Sequence, residues 1–220
     1  MHIGGGATSD LIQRIRDYTV AHEELLRAHH FTFDLPLTPH THPTCLVMGI
    51  NPGEVAEDFS FHPGPTEETR DFDFHALVRP SRGARRWRST VRRMCGEQTT
   101  ITEAFFWSSP TVASMRERFG STLGHSHHLD FCTATNKALL DRFMPRCVVC
   151  PGLGMEKLLT RHYRLEKQET VRCDEGKHRL VLVCSDGDRP WLLTKHWTGS
   201  RGFSAHQREV VKEAIRKHAG

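Results

Sequence analysis

Four short runs in this chain are apolar almost throughout: Cys45–Ile50, Ile101–Trp107, Cys147–Cys150 and Trp191–Thr194. A strand with one wet face alternates apolar and polar residues, whereas a strand buried on both faces does not. Runs this short are strand-sized, and strands buried on both faces need cover on both sides. Helical patterns between the runs can supply that cover. "SRGARRWRSTVRRM" puts Trp87, Val91 and Met94 on one face, and "LDFCTATNKALLDRF" groups Phe131, Ala134, Ala138 and Leu139 before Pro145 stops it. "GMEKLLTRHY" follows the third run, and "SAHQREVVKEAIRKHA" opens with a capping-box pair, Ser204 and Gln207. Ser9–His30 has a helical stripe of Leu11, Ile12, Ile15, Tyr18, His22, Leu25 and Leu26.

Strands alternating with helices predict an α/β fold: a three-layer α/β/α sandwich with a short, mainly parallel central sheet. Tyr163–Arg189 breaks the alternation. There, Leu180–Cys184 reads as a strand and Asp186-Gly187 as a turn, so a hairpin feeding the last strand is expected. A length of 220 residues suits one domain, residues 1–220, with an N-terminal helical segment, residues 1–40, packed on it.

Net charge is +4, which permits nucleic acid as a partner. No run reaches the roughly 20 apolar residues of a membrane span, and "MHIGGGATSD" lacks a charged-then-apolar leader. Seven scattered cysteines fit a reduced, cytoplasmic protein, expected to be a monomer. Cys147 and Cys150 lie three apart in a strand, so their thiols should point to opposite faces rather than form a redox pair. His125, His127 and His128 in "GHSHHLD", and the "PHTHP" at 39–43, lack evident third and fourth ligands, so no metal is expected.

The first run ends abruptly at Asn51-Pro52-Gly53. Ligands of open parallel sheets bind beyond the carboxyl ends of the strands. Pro52 stiffens the turn there, Gly53 lets backbone approach a ligand, and Asn51 is presented at the sheet's mouth. From these residues alone, Asn as an ordinary turn former is the favoured reading.

"GINPG" at Gly49–Gly53 resembles the first active-site motif of the uracil-DNA glycosylase superfamily, and is most similar to the mismatch-specific branch. The continuation "GEVAED" also resembles the bacterial branch in which Gly-Glu-Ala-Pro-Gly precedes an acidic pair. "EAFFWSSP" at Glu103–Pro110 resembles the family's second strand and following loop, and "PRCVVCPGLGMEKLL" its third strand with a glycine-rich exit. "LLTKHWTGSRGFS" at Leu192–Ser204 resembles the second active-site motif, with Trp197-Thr198 where the family has Pro-Ser. Trp107-Ser108-Ser109 stands where the family often has a base-reading Asn. No set of four spaced cysteines suits an iron–sulfur cluster, so no cofactor is expected.

The resemblance implies a DNA glycosylase acting on uracil or a related damaged base, with uracil-containing or damaged DNA as partner. Asn51 and His196 would be catalytic: Asn51 orients water, and His196 donates to the leaving base. Gly49, Ile50, Pro52, Gly53 and Ser108 would surround the base. Phe59 or Phe61 would stack on it, typically worth about 1–3 kcal/mol. Gly199, Ser200, Arg201 and Ser204 would hold the strand, with Ser204 also explicable as a helix cap alone. Seven arginines lie between Arg79 and Arg93, Arg85 and Arg86 among them. They can contact phosphate or simply face solvent. The alternative function is a non-catalytic nucleic-acid or nucleotide-binding module on the same fold; a nucleotide-handling enzyme outside repair is a third reading.

Overall fold

The computed structural model of the chain describes residues 6–27, 42–52, 82–109, 111, 113–120, 126–173, 178–197 and 203–220. Their strands form one six-stranded sheet. In chain order they are β1 (Cys45–Gly49), β2 (Thr99–Glu103), β3 (Cys147–Pro151), β4 (Glu166–Cys173), β5 (His178–Ser185) and β6 (Pro190–Thr194). The spatial order is β2-β1-β3-β6-β5-β4. β1 runs parallel to β2 and β3, and β3 parallel to β6, while β5 is antiparallel to both β6 and β4. The helices are α1 (Gly6–Val20), α2 (Arg82–Cys95), α3 (Met115–Phe119), α4 (His127–Phe143), α5 (Glu156–Tyr163) and α6 (Ala205–Ala219), with 3-10 turns at Glu23–Arg27 and Leu153–Met155.

Strand alternation divides the buried side chains between two cores. Leu46 and Met48 of β1, Val148 and Cys150 of β3, and Trp191 and Leu193 of β6 share one cluster with Leu11 and Ile15 of α1 and Leu139 of α4. Cys45 and Val47, Cys147 and Val149, and Leu192 belong to the other, with Val91 and Met94 of α2 and Val211 and Ile215 of α6. The sheet is therefore covered on both faces, as continuous apolar runs require. Cys147 and Cys150 do diverge. Cys147 instead meets Cys45 in register across β1 and β3, with sulfurs 3.4 Å apart. All seven cysteines are free thiols.

Two of the expected elements end earlier than their patterns suggest. α1 stops at Val20, and a 3-10 turn follows. The second strand ends at Glu103, and Ala104–Ser109 continues as a buried loop. Apolar patterning reports burial, and Phe105, Phe106 and Trp107 are fully buried without being strand. Trp107 Nε1 donates to Thr19 Oγ1 (3.0 Å), which in turn donates to Ile15 O (2.7 Å), locking this loop onto α1. The loop is also zipped to the exit of β1 by Ala104 N to Gly49 O (2.8 Å), Phe105 N to Ile50 O (2.9 Å) and Ser109 N to Pro52 O (3.3 Å).

The expected hairpin is β5–β6. Asp186 Oδ1 accepts from the backbone of Asp188 and Arg189, its Oδ2 accepts from Trp191 Nε1 (2.9 Å), and Gly187 takes φ +96°, open to glycine at little cost. Among the described residues no helix is long and apolar enough to cross a membrane.

Candidate active site at the carboxyl end of the sheet

β1, β3 and β6 are parallel, so Asn51, Gly152 and His196 all leave the sheet at one end. Gly152 N donates to Thr194 O (2.8 Å), which holds the exits of β3 and β6 together. A side chain at Gly152 would meet Ile50 at 3.5 Å, so the missing one leaves room beside Ile50. The exits of β1 and β6 are two strand spacings apart, about 9–10 Å.

Asn51 is held in one orientation. Its Nδ2 donates to Ser109 Oγ (2.9 Å) and Pro52 O (3.1 Å). Ser109 Oγ donates its own proton to Thr111 O (2.8 Å), so toward Asn51 it accepts; a carbonyl can only accept. Both contacts demand the NH2 end of the amide. Oδ1 is left as the atom that can take a hydrogen from a water or ligand. Pro52 is buried and Asn51 half-buried.

Gly49 is required by its neighbour. In register across the β1–β2 pair stands Glu103, a buried carboxylate, and a methyl on Gly49 would come within 2.7 Å of its Cδ. Ser108 is fully buried, and its carbonyl accepts from Arg118 (3.1 Å). Ser109, not Ser108, is the hydroxyl that touches Asn51.

His196 lies two residues past β6, exposed, with its ring stacked against Trp87 of α2 (centroids 6.2 Å, planes 15° apart). Trp87 also leans on buried Trp197 (5.8 Å). α2 turns Val91 and Met94 inward and Arg86, Arg92 and Arg93 outward. Its basic face therefore begins one residue from the ring that supports His196. Ser204 caps α6: its Oγ accepts from Gln207 N (3.1 Å). The reciprocal half of the capping box is replaced by Gln207 Nε2 donating to Cys173 Sγ (3.5 Å).

Gly49, Ile50, Asn51, Pro52, Ser108 and His196 thus share one end of the sheet. Gly53, Phe59, Phe61, Gly199, Ser200 and Arg201 lie outside the described residues, as does the side chain of Arg85. Sequence reasoning passed over Glu103, Ser109 and Trp87. A carboxylate inside "TTITEAFFW" was the signal for Glu103; the other two have no local signal. A cavity of about 550 Å³ lies elsewhere, between β4 and α6, lined by Val171, His206, Val210 and Lys217 among others. On its rim Lys217 Nζ lies 3.4 Å from the Glu169 carboxylate.

No family model matches the chain, and no curated protein matches it in sequence.

Proposed function

We propose that the protein is a DNA N-glycosylase on a uracil-DNA glycosylase-like fold, removing uracil or a related damaged base. One observation carries this reading: the Asn51 amide is fixed with Oδ1 as its available acceptor, at the carboxyl end of a parallel sheet from which His196 also emerges. Base excision breaks the C1′–N bond, leaving positive charge on the sugar and negative charge on the base. The enzyme takes the base out of the helix stack before this happens. Asn51 Oδ1 accepts a hydrogen from the attacking water, aligning its oxygen with C1′. An amide is a weak proton acceptor, which suffices when the bond breaks largely before water adds. Water delivers hydroxide to C1′, and its proton ends on the departing base or solvent. The His196 imidazole donates to the base carbonyl as negative charge builds there, and Trp87 behind the ring limits its motion. The outward arginines of α2 contact phosphates.

A non-catalytic binding module is the second reading, favoured by the exposure of His196. Uracil-, thymine-mismatch-, hypoxanthine- and xanthine-containing oligonucleotides, single- and double-stranded, followed by alkaline cleavage, separate the two. Alkali-labile product is expected, reduced about 10²–10³-fold in Asn51→Ala and in His196→Ala. Retained DNA binding without product from any of these substrates establishes the binding module and removes the enzyme.

A further inference from the structure

At the junction of α1 and α4, four side chains with metal-ligand chemistry come together from distant parts of the chain. His22 stands just past the end of α1 and Glu24 in the following 3-10 turn, while His127 and His128 open α4. One ring nitrogen of each histidine lies within 4.8 Å of the others. Glu24 Oε1 is 2.9 Å from His128 Nε2 and 3.9 Å from His127 Nε2. We propose that His22, Glu24, His127 and His128 bind one divalent transition-metal ion of the zinc class, clamping the N-terminal helix to α4.

His128 gives the first independent support. Its side chain is 1% exposed, yet Nε2 makes no aligned hydrogen bond; the approach of Glu24 is an ion contact off the N–H direction. Such buried nitrogens are normally partnered. The Glu24 carboxylate faces this nitrogen from 2.9 Å, placing a second donor and a negative charge beside it. A dication satisfies both.

The outer nitrogens of two of these rings are already held by Tyr18. His22 Nδ1 donates to Tyr18 O (2.7 Å), and His128 Nδ1 lies 3.0 Å from Tyr18 Oη. Holding Nδ1 in this way turns Nε2 toward the centre, the usual arrangement of ligating histidines. The His22 ring is further fixed by stacking on Tyr18 (4.0 Å), which stacks on Phe131 (3.7 Å).

Zinc bonds of about 2.0–2.1 Å in a tetrahedron set ligands about 3.3 Å apart. The cluster must therefore contract. His127 is exposed (68%) and Glu24 half-buried (34%), so both have room to rotate. Three imidazoles and one carboxylate suit zinc, cobalt or nickel and not magnesium or calcium. Four protein ligands close the shell, which makes the site structural rather than catalytic.

The test uses the full chain stripped with chelator, titrated calorimetrically with ZnCl2 and followed by Co2+ absorption. One equivalent is expected to bind, raise the thermal midpoint and give a tetrahedral cobalt spectrum, with MgCl2 inert. His127→Ala and Glu24→Gln alter side chains with solvent access and should fold. Each is expected to weaken Zn2+ binding by about tenfold or more, and His22→Gln/His127→Gln to abolish it. The chain has sixteen histidines and seven cysteines, so the variants carry the weight. Unchanged stoichiometry and affinity in the double variant would place the ion elsewhere and overturn the proposal. So would binding weaker than roughly 100 μM in the parent protein.

Discussion

Asn51 shows how much one side chain depends on what its neighbours can donate. Its Nδ2 faces two acceptors, Ser109 Oγ and Pro52 O. Aspartate is the stronger proton acceptor, so on chemistry alone Asn51→Asp would speed the proposed base excision. At this position the geometry argues against it. A carboxylate oxygen in place of Nδ2 would face the Pro52 carbonyl with no hydrogen between them, and Ser109 would have to abandon Thr111 O to donate. Leaving such a half-buried polar group unpaired costs about 1–3 kcal/mol. Asn51→Asp is therefore expected to lower stability in urea titrations by that amount, with no gain in the rate of abasic-site formation. A faster, equally stable variant would show that the amide is not locked. The sequence announced Asn51 through a buried strand meeting Pro-Gly. It was silent about Ser109, because the contact spans 58 positions and leaves no local pattern.

At the scale of elements, legibility followed burial. β1, β3 and β6 were readable because both their faces are packed. β4, "EKQETVRC", was missed because it is the sheet's edge and nearly every side chain is exposed. Charged edge strands of this kind discourage further strand pairing but carry no apolar signature. The start of α6 was legible from Ser204, whose competing roles now make different predictions. As a cap, its oxygen satisfies the Gln207 backbone N–H. Ser204→Ala is then expected to lose about 1 kcal/mol of stability, measured by urea unfolding, while affinity for DNA stays as in the parent. A normal melt with weakened DNA binding would instead assign Ser204 to phosphate.

At the scale of the whole molecule, the N-terminal helix is tied in through the Ile15–Thr19–Trp107 relay and through Tyr18, which touches Trp107, Phe131 and the histidine cluster. The fold class was legible because strand–helix alternation is a long-range rhythm. The cluster was not, since positions 22 and 24 become neighbours of 127 and 128 only in three dimensions. His128 makes this junction sensitive to acid. Its pKa falls from the usual 6.5 to about 4 on folding, with desolvation the main cause. The unfolded chain then binds more protons between those values, so stability is undiminished above about 6.5 and declines as pH falls toward 4. Other histidines and carboxylates titrate in the same range, so the parent must be compared with His128→Gln. In chelator, urea midpoints of the parent should drop more steeply than those of the variant between pH 6.5 and 4.5. The two curves should run parallel above pH 7. Parallel curves throughout would mean that folding leaves the protonation of His128 unchanged, and a parent that gains stability over the variant as pH falls below 7 would make Glu24 the salt-bridge partner of a charged His128 with no need for a metal ion.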